Sequence, residues 1–203
     1  MGDQQEMPTL AEIGWLTGII EGEGSITMNV RKKTWKGWEG VGVDLAIQIV
    51  NTDAGITEKA QTILQKMGIQ ANISERQKVR VMRANGKDYS VAGTILCVGI
   101  HRMVSILAVL RTILPHMAGE KAARARLIEQ FIVRRLERKG ENTKNGPSWY
   151  DGYDWKLVRD FYDLSGGKLL PEVEQLSSET NMPGTWKSED RARTVGKPAE
   201  GMQ

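Results

Sequence analysis

Apolar and polar positions change period several times along the chain, and each change marks an element. Residues 9–22, TLAEIGWLTGIIEG, are apolar nearly all round. Thr9 with Glu12 three places on has the spacing of a capping box, which predicts a helix starting there. After Glu23 and Gly24 the period falls to two: Ile26, Met28 and Val30 alternate with Thr27, Asn29, Arg31 and Lys33. That is a strand with one core face and one basic face. A loop, TWKGWEG, leads to a second alternating run, VGVDLAIQIVNT, so the two strands form a hairpin. Asp53 is placed to cap the next helix, AGITEKAQTILQKMG, whose Ile56, Ala60, Ile63, Leu64 and Met67 fall at helical spacing before Gly68 stops it.

Residues 69–100 read as a second hairpin around Asn85-Gly86, with Arg76, Lys78, Arg80, Arg83 and Lys87 in its loop region. A helix over 102–114 ends at Pro115, and an arginine-rich helix follows over 119–138. Beyond Gly140 the chain turns polar. The stretch ENTKNGPSWYDG reads as a linker, and DWKLVRDFYDLS as a short helix with Trp155, Val158, Phe161 and Tyr162 available to dock. The last twenty or so residues have the composition of a disordered tail. The expected division is a domain over 1–140 and a C-terminal extension over 141–203.

Composition narrows the class. With 203 residues, 40% hydrophobic and 26% charged, the chain suits one globular core rather than two. Its one cysteine, Cys97, cannot form an internal disulfide and sits between Leu96 and Val98, as a core or sheet residue would. No apolar run reaches the length of a spanning helix, and the start lacks the order of a signal peptide, so an intracellular protein without a membrane partner is expected. The net charge of +3 is unevenly distributed: residues 1–140 carry 20 Lys+Arg against 14 Asp+Glu, and 141–203 carry 8 against 11. A basic body with an acidic tail favours a polyanionic partner.

The first helix carries the most informative pattern. Gly14, Gly18 and Gly22 recur every four residues, a row without side chains down one apolar face. Glycine inside a helix costs about 1 kcal/mol against alanine, and close backbone approach to another helix offsets such a cost. No other segment repeats the pattern, so the expected partner is the same helix of a second subunit across a two-fold axis. Glu23 then lies at the negative end of the helix dipole, close to its symmetry mate. A carboxylate so placed attracts a hard cation such as Mg²⁺.

Residues 16–24, LTGIIEGEG, resemble the nine-residue motif of the LAGLIDADG homing endonucleases. Leu16, Gly18, Ile19, Ile20, Gly22, both acidic positions and Gly24 carry the likeness, with Ser25 and Ile26 opening a strand as family members do. The order of elements over about 9–138 is similar to the family's half-site fold. The resemblance implies an α+β fold in which a four-stranded antiparallel sheet forms a DNA-binding saddle. One motif rather than two implies a homodimer joined through its motif helices. It further implies that Glu23, with Gly22 beside it, holds the divalent metal, Mg²⁺ with Mn²⁺ or Ca²⁺ able to occupy the same place, while Glu21 is structural. Glu stands in both acidic positions, where Asp is common in the family.

Two more positions follow from the resemblance. Asn51, closing the second strand, would order water around the scissile phosphate, and Lys121, with Arg124 as the alternative, would stabilise transition-state charge. The implied reaction is metal-assisted hydrolysis of one phosphodiester in each strand of a long pseudo-palindromic site. No protein nucleophile is needed, and His101 and His116 have no triad partner at a telling spacing. Thr27, Asn29, Arg31, Lys33, Asp44 and Gln48 of the first hairpin, and Asn72, Ser74 and Arg76 of the second, are the candidates for contact with double-stranded DNA. The rival class is a binder that does not cleave, an intron-splicing maturase or a regulator. The retained Glu23 argues against it, since a helix kept for packing has no use for an acid there.

Overall fold

The computed structural model describes residues 6–35, 38–84, 87–138, 150–169 and 171, with backbone alone for 32–35, 38–40, 78–84 and 87–92. The elements run α1 (Leu10–Gly22), β1 (Gly24–Trp35), β2 (Trp38–Asn51), α2 (Ala54–Lys66), β3 (Asn72–Ala84), β4 (Lys87–Ile100), α3 (Met103–Ile113), α4 (Gly119–Glu137) and α5 (Gly152–Ser165). Of the predicted linker over 141–152, residues 141–149 lie outside the described residues, as does the tail beyond 171, but Tyr150, Asp151 and Gly152 are not linker: Tyr150 packs on the core, Asp151 caps α5 and Gly152 begins it.

The capping box at Thr9 is present: the Thr9 hydroxyl accepts from the Glu12 N–H at 3.2 Å, and the Glu12 carboxylate accepts from the Thr9 N–H at 2.8 Å. Asp53 caps α2 through the Gly55 N–H at 2.8 Å. Gly68 stops it by taking a φ of 73°, a conformation that costs a residue with a Cβ.

The four strands form one antiparallel sheet in the order β1-β2-β4-β3. One face, with Ile26, Met28, Leu45, Ile47, Ile49, Val98 and Ile100, lies against the helices and forms the core with Leu16, Ile20, Ile63, Leu64, Leu110, Ile128 and Phe131. Because strand side chains alternate, the opposite face carries the polar positions. Helix α5 belongs to the same core through Trp155, Leu157, Val158 and Phe161. No helix among the described residues is long and apolar enough to cross a membrane.

The hairpins are longer than the alternation suggests. Thr34, Trp35 and 38–40 of TWKGWEG are strand rather than loop: β1 and β2 stay paired as far as Trp35 opposite Trp38. Arg76, Lys78, Arg80, Arg83 and Lys87 likewise stand in the ladder of β3 and β4, not in a connecting loop. Backbone hydrogen bonding carries both ribbons beyond the region where a core imposes a hydrophobic period. Pro115 does not follow a clean helix stop either, since a 3₁₀ turn over Leu114–His116 continues from α3.

Candidate functional site

Helix α1 ends on the site's central residue. Glu23 is its C-cap, with its N–H donating to the Ile19 carbonyl at 2.9 Å and its side chain exposed. Asn51, the last residue of β2, lies beside it because Gly24 pairs with Ile49 at that end of the ribbon. The Asn51 amide donates to the Glu23 carboxylate, and its Oδ1 accepts from the Asp53 N–H at 2.9 Å. Both ends of the amide are therefore fixed, and the Glu23 carboxylate is held by a neutral donor. Glu23 and Asn51, 28 residues apart in sequence, are brought together by this bond.

Lys121 is close by, in a role the sequence does not reveal. Its ammonium donates to three backbone carbonyls at the end of α1: Ile20 at 3.0 Å, Glu21 at 2.5 Å and Gly24 at 2.8 Å. A lysine ammonium has three donors, so all three are directed at the chain itself. The negative end of α1 thus has a resident cation from α4, and its need for an external one is less than the sequence argument supposed. Burial, and then the charge of nearby Arg124, push the Lys121 ammonium below the ordinary lysine value, with Glu21 pulling the other way. Arg124 turns to Glu120 on its own helix, 3.6 Å away.

Glu21 accepts from the Ala118 N–H at 2.9 Å, just before α4, which ties the start of that helix to the end of α1. Gly24 is required for a different reason. A Cβ there would stand 2.7 Å from the Ile20 Cα and 2.8 Å from the Ile20 oxygen, so the chain passes too close to its own helix for a side chain. The glycine row is exposed: a Cβ added at Gly14, Gly18 or Gly22 would meet nothing within 4 Å. Leu10, one step before that row, is 80% exposed.

The strand register sorts the remaining candidates. Thr27, Asn29 and Arg31 share a face with Asp44 and Gln48, because Asn29 pairs with Asp44 and Gln48 with Ser25. Gln48 pairs with Gly99, which pairs with Asn72 on the far side, so Asn72, Ser74 and Arg76 join the same face. Arg31 and Asp44 form an ion pair at 3.5 Å on it. Lys33 stands in β1 at the right register, but its side chain lies outside those described. A cleft opens on this face where β4 ends, lined by Asn72, Ser74, Arg76, Gly99, His101 and Arg102. The last two were not among the sequence candidates.

The donor set near Glu23 consists of carboxylate, amide and backbone oxygens, which suits a hard divalent cation. Among the described residues no three His, Cys, Asp or Glu side chains gather into a metal site.

A family model described as a LAGLIDADG-like domain matches residues 11–111. No curated protein sequence matches the chain. Among solved structures, the homing endonuclease I-CvuI bound to its target in the presence of calcium is 20% identical, with 84% of this chain and 92% of that chain covered and a TM-score of 0.54. The same enzyme with the I-CreI target and magnesium, its DNA not cleaved, is 18% identical over 79% of this chain and 85% of that one, with a TM-score of 0.50. I-GzeII in complex with its DNA target is 11% identical, covering 83% of this chain and 49% of that one, with a TM-score of 0.50. At these identities the structures show a shared fold. With the motif helix, the sheet order and the family match all in agreement, the chain belongs to the LAGLIDADG homing endonuclease family.

Proposed function

We propose that the chain is a site-specific double-strand DNA endonuclease that acts as a homodimer and hydrolyses one phosphodiester in each strand, with Mg²⁺ at Glu23 and Gly22. The observation that carries the reading is the exposed Glu23 carboxylate, held by Asn51 at the edge of a sheet whose outward face is polar. The structures of I-CvuI and I-GzeII, both in complex with DNA targets, support it. The dimer rests on the exposed row of Gly14, Gly18 and Gly22 headed by Leu10, which nothing among the described residues covers at the glycines. The fold accounts for most of the I-CvuI chain and about half of I-GzeII, the ratio expected of a unit that works in pairs.

Each residue has a separate task. Glu23, with Gly22 beside it, would hold the cation, its carboxylate supplying the charge. When bound, the cation lowers the pKa of a water and stabilises the leaving oxygen. Asn51 keeps the Glu23 carboxylate in one orientation, and Lys121 keeps the end of α1 from repelling it. Thr27, Asn29, Arg31, Asp44, Gln48, Asn72, Ser74 and Arg76 read the major groove, with Lys33 beside them and surplus basic side chains on phosphates.

A randomised duplex library selected on the full-length protein gives its site. Wild type then cuts that site with Mg²⁺ and not with EDTA, while Glu23→Gln binds it and leaves it intact. Cleavage by Glu23→Gln at the wild-type rate would overturn the assignment.

A further inference from the structure

Beyond Ile47 the first hairpin leaves the sheet: β2 pairs with β4 only from Ile47–Ile100 to Asn51–Leu96, so the ribbon carrying Asn29, Arg31 and Asp44 continues without a β4 neighbour. Val30 and Val43 face each other on this free arm. Their N–H groups point out of its two opposite edges, as in a non-hydrogen-bonded pair of an antiparallel ladder. The C-terminal segment satisfies both. The Tyr162 hydroxyl accepts from the Val30 N–H at 3.2 Å on the β1 edge, and the Tyr150 hydroxyl accepts from the Val43 N–H at 3.0 Å on the β2 edge.

The two tyrosines flank and end one rigid element. Asp151 and ten residues of α5 lie between them, roughly 15 Å of helix, which is enough to cross a ribbon whose strands lie about 5 Å apart. Helix α5 is fixed to α4. Arg138 reaches Asp151 at 3.0 Å and Asp154 at 3.1 Å, and Arg134 also pairs with Asp151. Tyr150 packs between Phe131 and Trp155, with ring centroids 6.0 and 5.4 Å away.

We infer that α5 is a strut under the free arm of the first hairpin, and that Tyr150 and Tyr162 are positioning residues which set how Asn29, Arg31 and Asp44 meet the DNA. This rests on the DNA-reading role proposed above. Val30 and Val43 place their side chains on the face opposite the reading residues, so a tyrosine pulling on either edge tilts the neighbouring reading positions. The second hairpin has no such brace from α5 among the described residues. The two arms therefore differ in what holds them.

The test uses the full chain with Tyr150→Phe and Tyr162→Phe together, which keeps the rings and removes both acceptors. Hydrogen exchange without DNA should show the Val30 and Val43 amides roughly fivefold faster, the equivalent of one lost neutral hydrogen bond each. Unchanged exchange at both amides would overturn the strut. With DNA, discrimination should fall at base pairs that Asn29→Ala and Arg31→Ala also affect, and should hold at those that Asn72→Ala and Arg76→Ala affect. Equal loss at both sets, or none, would overturn the positioning role even if the amides exchange faster. Absence of DNA binding by wild type would remove the reading role itself and leave the exchange result to decide the strut alone.

Discussion

Replacing Gly24 by alanine tests the junction on which the candidate site depends. The new Cβ would stand 2.7 Å from the Ile20 Cα, 2.8 Å from its oxygen and 3.2 Å from its carbonyl carbon. Non-bonded carbons settle at roughly 3.5–4.0 Å, so the overlap falls on backbone atoms that cannot rotate away. Overpacking of this kind costs about 1–3 kcal/mol. Alanine regains about 0.4–1 kcal/mol by restricting the unfolded chain, because Gly24 does not need a left-handed φ. A net loss of about 1–2 kcal/mol should lower Tm by roughly 2–8 °C for a chain of this size. The same shift moves the Gly24 carbonyl off Lys121 and displaces Glu23, its neighbour. Single-turnover cleavage should then slow by about 10- to 100-fold, given what sub-ångström misplacement costs in oriented sites. Thermal melts and a cleavage time course on the selected duplex measure both effects. Gly152→Ala, where a Cβ meets nothing within 4 Å, is the control and should change neither. If Gly24→Ala matches wild type in melt and in rate, the close passage of residue 24 over Ile20 is wrong.

Three other variants probe separate parts of the chain. Lys121→Met leaves the carbonyls of Ile20, Glu21 and Gly24 without their cation and should destabilise by about 2 kcal/mol in urea titration, with Lys121→Arg only a partial rescue because a planar fork cannot cup three converging oxygens. A Met variant as stable as wild type would show that water replaces the clamp. The Lys66 ammonium, 2.8 Å from Glu12, holds that carboxyl down from 4.5 to about 2, aided by the Thr9 N–H. Since the folded value lies below the unfolded one, the contribution is complete above pH 4.5 and disappears as pH falls towards about 2. Melts of wild type and Glu12→Gln should therefore converge across that window, and a gap independent of pH would refute it. Gly18→Leu should give monomers in sedimentation and abolish cleavage of the paired site, whereas an intact dimer would remove the α1 interface.

The sequence made the scaffold readable where one side of an element faces a core. The alternation at Ile26, Met28 and Val30 and the helical spacing of Ala60, Ile63 and Leu64 reflect burial directly. Both ribbons outrun that signal, which is why TWKGWEG reads as a loop although Thr34 pairs with Glu39 and Trp35 with Trp38. Glu23 is singled out by the motif and Asn51 by its place at the end of the second strand, and a hydrogen bond joins the two side chains. Lys121 was named, but its three carbonyl partners lie 97 to 101 residues away, and no local pattern encodes them. The same is true of Tyr150 and Tyr162, whose partners are 107 and 132 residues distant. Burial pushes the Asp154 carboxyl above the usual aspartate value despite Arg135 and Arg138, and the polar composition around it gave no sign that α5 would bury an acid.

The two hairpins are stitched to each other over only five rungs, all at the end of the sheet where Asn51 lies. Longer or shorter tips, or new side chains along either arm, alter strands that meet nothing across that seam. A lineage built on this plan can drift in what it recognises one arm at a time, while the chemistry at the stitched end stays as it was.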